Sequence, residues 1–149
     1  MADYAAFYFA PRSPMMSAID NGKVPEYEDG IDPLVYFVTD VDRLVALGLS
    51  VVFTDRNAVL DFARFSNDLA ELDSLVDWTL MRGRYWFNTI QEPDRRERRM
   101  AECLVHGAVP WDAFSELVVR NDARRDEAVA ALRAVGASIS VRVASDWYF

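Results

Sequence analysis

Arg95, Arg96, Arg98 and Arg99 place four guanidinium groups in five positions, and Glu102 follows three residues later, ahead of the apolar run Cys103-Leu104-Val105. Guanidinium groups bind phosphate oxygens in forked pairs. A carboxylate held among apolar side chains stabilises a positive charge that develops beside it. Phosphate binding next to cation stabilisation is therefore the chemistry this spacing offers. Ala101–Val105 alternates as a strand does, so Ala101, Cys103 and Val105 face one way and Glu102 and Leu104 the other. Arg82-Gly83-Arg84-Tyr85-Trp86-Phe87-Asn88 interleaves charge with aromatic faces, which suits phosphates and stacked bases, although packing alone also produces such interleaving. Asn57, at the end of a strand, is placed either to reach a ligand or to cap a turn. Arg12 precedes a helix start at Ser13-Pro14, which favours a bound anion or marks a plain surface loop.

Short elements must position these groups. Tyr4–Ala10 reads as a strand, and Ser13-Pro14 opens a helix that Asn21-Gly22 stops after Asp20. Leu34–Thr39 and Ser50–Thr54 read as strands. Between them a helix over Val41–Leu47 is capped by Asp40 and closed by Gly48. Val59–Phe65 has a helical pattern, and Asp77-Trp78 breaks the next helical stretch in two. Trp111–Leu117 reads as a short helix leading into Val118-Val119. Asp122–Val135 is a helix with Val129, Leu132 and Val135 as its buried stripe, and Ser138–Val143 is a last strand before the apolar end Asp146-Trp147-Tyr148-Phe149.

At 149 residues and 52% hydrophobic, the chain is long enough for one folded domain with a core. A net charge of −8 argues against nucleic-acid binding through bulk charge, so any such contact must come from a local basic patch. The single cysteine, Cys103, rules out an internal disulfide, and with His106 as the single histidine a metal site is not expected. The start Met1-Ala2-Asp3-Tyr4 has neither the basic nor the apolar region of a secretory signal, and no apolar run reaches membrane-spanning length. These features imply a cytoplasmic protein without a membrane partner.

FYFAPRSPMM at 7–16, FTDRNA at 53–58, DWTLMRGRYWFNT at 77–89, PDRRERRMAECLVHGAVPW at 93–111 and the terminal DWYF, taken in that order, resemble the DarT family, the DNA ADP-ribosyltransferase toxins of bacterial toxin–antitoxin pairs. The resemblance implies an α+β fold of the ADP-ribosyltransferase (PARP-like) type, a split mixed β-sheet flanked by helices. It implies a single domain over 1–149, incomplete at the N-terminus, because the family's NAD-gripping histidine and second catalytic arginine lie upstream of Met1. The implied activity is transfer of ADP-ribose from NAD, as co-substrate and without a metal, to a base in single-stranded DNA. A macrodomain antitoxin is the implied protein partner. By motif match Glu102 corresponds to the catalytic glutamate. Asn57, Tyr85, Trp86, Arg95, Arg96 and Arg99 correspond to the substrate-binding segment, and Met15 would pack against the target base. Arg56 stands where the family usually has glycine, and Cys103 where it has a bulky aromatic. An inactive remnant that keeps a DNA-strand groove is the alternative reading.

Overall fold

The computed structural model describes residues 3–149. In chain order the elements are β1 (Tyr4–Tyr8), α1 (Pro14–Asp20), β2 (Tyr36–Val38), α2 (Val41–Ala46), β3 (Val51–Thr54), β4 (Phe65–Ser66), α3 (Leu72–Leu75), α4 (Trp78–Arg82), α5 (Arg95–Arg98), β5 (Glu102–His106), β6 (Glu116–Val119), α6 (Asp122–Ala134) and β7 (Ser140–Val143). They fall into two compact units. One runs up to Pro14 and resumes over Gly48–Val109; the other takes Met15–Leu47 and Pro110–Phe149.

The first unit is built on a four-stranded sheet in the order β1-β5-β3-β4. Its pairings are all antiparallel. β5 is central, and its residues Glu102–Val105 are buried while His106 is exposed. Phe53, Ala101, Cys103, Leu104 and Val105 are at most 4% exposed, and Leu72, Val76, Leu80, Met81 and Trp86 add buried side chains from the segment between β4 and α5. The cross-strand register puts Tyr8 opposite Glu102 and Ala6 opposite Leu104, so Glu102 and Leu104 share one face as the alternation predicts.

The second unit holds a three-stranded sheet in the order β2-β6-β7, antiparallel at β2–β6 and parallel at β6–β7. The parallel pair is joined through α6, which starts at an Asn121 side-chain cap on the Arg124 N–H. Met16, Ile31 and Tyr148 form a core cluster flanked by Leu34, Tyr36 and Trp147. The apolar chain end is docked there, with the Tyr148 hydroxyl donating to the carbonyls of Leu34 at 2.7 Å and Val118 at 3.1 Å.

Three expectations fail for local reasons. Val59–Phe65 is not a helix: Asp55 draws the chain back by accepting the Arg64 N–H at 2.9 Å, so the segment closes as consecutive turns into β4. Trp111–Leu117 is a 3-10 turn at Trp111–Ala113 followed by strand, because Leu117 pairs with Phe37. Val135 is 77% exposed, one residue past the end of α6, so it contributes nothing to that helix's buried stripe.

Candidate active site

Glu102 opens β5, where burial of a charged group needs a specific hydrogen bond to be tolerated. Its carboxylate oxygen Oε2 accepts the Ala58 N–H at 2.9 Å. Its own N–H donates to the Thr54 hydroxyl at 2.9 Å. The residue is 7% exposed, and among the described residues it forms no ion pair and Oε1 accepts no hydrogen bond. Burial pushes the carboxyl above its ordinary value, and the Ala58 N–H pulls in the opposite direction without cancelling the effect. Tyr8 faces it across the β1–β5 pair; burial first and the Glu102 charge second raise the phenol. A half-satisfied carboxylate, shielded from water and from cations, is suited to meet a cation that forms only during a reaction.

The turn that supplies Ala58 is fixed at both ends. Asp55, 4% exposed, accepts from the Arg64 backbone at 2.9 Å, from Arg64 Nε at 3.1 Å and from Arg56 at 3.2 Å. Arg56 also approaches Glu97 at 3.6 Å and Asp94 at 3.9 Å, and lies over the Phe62 ring at 5.1 Å. Its guanidinium is thus engaged by carboxylates of this unit. Asn57 turns its Oδ1 onto the Val59 N–H at 3.0 Å, the capping role weighed against a ligand contact.

The four arginines before Glu102 do not act alike. Arg99, 3% exposed, sends Nη1 to the carbonyls of Leu80, Met81 and Gly83 at 2.6, 2.9 and 3.0 Å and Nη2 to Pro11 at 2.7 Å. It supplies donors to the carbonyls at the end of α4, of which Leu80 also accepts the Gly83 N–H at 3.1 Å. Arg98 pairs with Asp77, with Glu92 at 2.8 Å and with Asp94 at 3.1 Å. Arg95 bonds Glu92 at 2.7 Å and the Tyr85 carbonyl at 3.0 Å. Arg96 is exposed, and among the described residues its guanidinium has no ion-pair partner; only its N–H is used, donating to Asn88 Oδ1 at 2.7 Å. These bonds seat α5 against the 85–88 segment, where Tyr85 is 69% and Phe87 57% exposed. Trp86, by contrast, is 2% exposed and stacks on Phe87 at 4.8 Å. Trp86 and Arg99 are thus both almost wholly buried, whereas the resemblance implies that they contact the strand. Arg82 and Arg84, the cations of the interleaved stretch, are exposed beside Tyr85. Met15 belongs to the second unit, where it is 54% exposed on α1.

His106 ends β5, roughly 13 Å along the strand from Glu102. With Tyr4, stacked edge-on at 5.1 Å, it lines a shallow depression that also includes Asp3, Ala5 and Gly107. That depression contains none of the groups around Glu102. Among the described residues no cluster of His, Cys, Asp or Glu is arranged to hold a metal ion, and no helix is long and apolar enough to cross a membrane.

Residues 1–149 match the family model described as ssDNA thymidine ADP-ribosyltransferase, DarT. This chain belongs to the DarT family. A DNA ADP-ribosyl transferase of Thermus sp. (strain 2.9) is 38% identical over 149 residues, covering 99% of this chain and 69% of the relative. One from Mycobacterium tuberculosis (strain ATCC 25618 / H37Rv) is 34% identical over 120 residues, covering 80% of this chain and 52% of the relative, so the chain spans about half of that relative's length. Thermus sp. 2.9 DarT solved in complex with NAD+ superposes with a TM-score of 0.92 at 37% identity, over 99% of this chain and 73% of that one. The same DarT in complex with ADP-ribosylated ssDNA gives 0.91 at 38% identity, over 99% and 69%. The α+β fold with split sheets flanked by helices is that of DarT.

Proposed function

We propose that this chain transfers ADP-ribose from NAD to a thymidine base of single-stranded DNA, with Glu102 as the catalytic carboxylate. The observation that carries this reading is the state of that carboxylate: 7% exposed, bonded at one oxygen to the Ala58 N–H, and without an ion-pair partner among the described residues. The family description and the NAD+ and ADP-ribosylated ssDNA complexes of the Thermus DarT support the substrates. NAD supplies a sugar carbon whose bond to nicotinamide breaks, the electron pair leaving with nicotinamide. Glu102 Oε1, uncommitted to the protein, meets the positive charge that grows on that sugar and holds the ribose in place. The attacking base atom bonds to the sugar carbon and gives up its proton, so the products are modified DNA, nicotinamide and a proton.

Glu102 fits the ribose end of NAD; no residue of this chain is assigned to the rest of the dinucleotide. The strand would run over Arg96, Arg84 and Arg82 with bases stacking on Tyr85 and Phe87, while Arg95 holds α5 and the 85–88 segment together. Asn57 would serve by shaping the turn that carries Ala58. Both units belong to one DarT-like domain in this reading, supported by the family match over residues 1–149. The reading assigns the protein to the cytoplasm as the toxin of a toxin–antitoxin pair, with a macrodomain antitoxin as partner.

The test is incubation with NAD and single-stranded oligonucleotides that contain or lack thymidine, reading oligonucleotide mass and released nicotinamide. One ADP-ribose per nicotinamide, on thymidine-containing strands only, is the expected result. Nicotinamide release with no adduct on any strand would overturn the assignment of DNA as acceptor.

A further inference from the structure

Where β3 ends, the main-chain ladder to β5 stops at the pair Phe53–Cys103, and a side chain takes over. Thr54 is 0% exposed. Its hydroxyl accepts the Glu102 N–H at 2.9 Å and gives its own proton to the Arg56 carbonyl at 2.6 Å; the Glu102 carbonyl, at 3.4 Å, is the weaker alternative. Two residues beyond Arg56, the Ala58 N–H returns to Glu102 Oε2 at 2.9 Å. The bonds form a closed ring: Glu102 backbone, Thr54 hydroxyl, turn 56–58, Glu102 carboxylate. Nothing outside Thr54 and the turn is needed to fix where that carboxylate oxygen sits relative to its own backbone. We propose that Thr54 is a positioning residue for the transfer reaction, acting through the 56–58 turn to hold the Glu102 carboxylate in its working orientation. This rests on Glu102 being the catalytic group.

Only a hydroxyl can accept and donate at this place. Valine has the same shape and does neither, leaving the Glu102 N–H and the Arg56 carbonyl unpaired in the interior. Serine does both without the methyl group. A merely structural role would make Thr54→Val equivalent to any other loss of a similar hydrogen bond. Thr39→Val supplies that comparison, since the Thr39 hydroxyl donates to the Ala113 carbonyl at 2.7 Å in the second unit.

The experiment measures kcat and KM for ADP-ribose transfer in Thr54→Val, Thr54→Ser, Thr39→Val and Glu102→Gln, with backbone hydrogen exchange at Ala58 in each. Thr54→Val is expected to lower kcat about thirtyfold with KM within about twofold, because orientation and not substrate binding is lost. Its Ala58 amide should exchange faster than in the wild-type protein, Thr54→Ser should restore both readings, and Thr39→Val should change neither. Equal kcat for Thr54→Val and wild type, or equal losses in Thr54→Val and Thr39→Val, would overturn the proposal. If Thr54→Val does not fold, an unprotected Ala58 amide in the wild-type protein overturns it, and a protected one that loses protection in Thr54→Ala supports it. Transfer that survives in Glu102→Gln overturns the assignment of Glu102 itself. Transfer lost there but kept in Thr54→Val removes only the role of Thr54.

Discussion

Glu102 carries a folding penalty that the proposed chemistry would require. Burial raises its carboxyl above the ordinary 4.5, so in the window just above that value the folded chain keeps a proton that the unfolded chain has released. Stability from this group is therefore full below the ordinary value and is lost as pH rises through the raised one. Glu102→Gln has no charge to desolvate and its amide oxygen can still accept from Ala58. Denaturant unfolding should show the variant gaining stability relative to wild type as pH rises above the ordinary 4.5. A difference that does not change with pH would mean the carboxylate is not desolvated. Arg99 and Arg96 make a second comparison at this scale. Arg99→Ala removes the donor to the carbonyls of Met81, Gly83 and Pro11 and should cost about 3 kcal/mol in denaturant unfolding. Arg96→Ala should leave stability within about 0.5 kcal/mol and weaken strand binding, reducing its salt dependence by about one phosphate contact. The reverse pattern would exchange their roles.

Most elements that hold the site are legible from local chemistry. The alternation at 101–105 placed Glu102 on the correct face, the Asp40 cap fixed α2, and Ser13-Pro14 with Asn21-Gly22 bounded α1. The partners of Glu102 are less legible, because they are set by contacts distant in sequence. The sequence shows a Thr-Asp-Arg-Asn-Ala turn, but only pairing of β3 with β5 brings the Thr54 hydroxyl and the Ala58 N–H to residue 102. The same cause hid the division among the arginines. Four adjacent guanidinium groups look alike until α4 presents its carbonyls to Arg99 and Asp77 reaches Arg98. The segment after α4 was readable as cationic and aromatic, but not which ring turns inward. Tyr85 lies outward and Trp86 inward, so Tyr85→Ala should weaken single-stranded DNA binding by about 1–3 kcal/mol in a fluorescence titration without lowering the melting temperature. Unchanged affinity would remove stacking on Tyr85 from the binding surface.

At the scale of the whole molecule, a chain of net charge −8 handles a polyanion only through a local cationic surface. In the proposed function Arg82, Arg84 and Arg96, all exposed, would supply that surface in the first unit, while Arg124 and Arg142 in the second are paired with Asp32 and Glu116 at 2.8 Å each. The acidic remainder would repel strands that do not engage this surface, which would favour specific over bulk binding. All of this serves one carboxylate, and the most direct measurement is the rate at which a thymidine-containing single strand gains ADP-ribose from NAD with wild type and with Glu102→Gln, followed by intact mass. A folded Glu102→Gln protein should be slower by at least about a hundredfold, the scale on which a charge-stabilising group acts. A folded variant that modifies the strand at the wild-type rate would contradict the assignment of Glu102 as the group that stabilises the sugar cation.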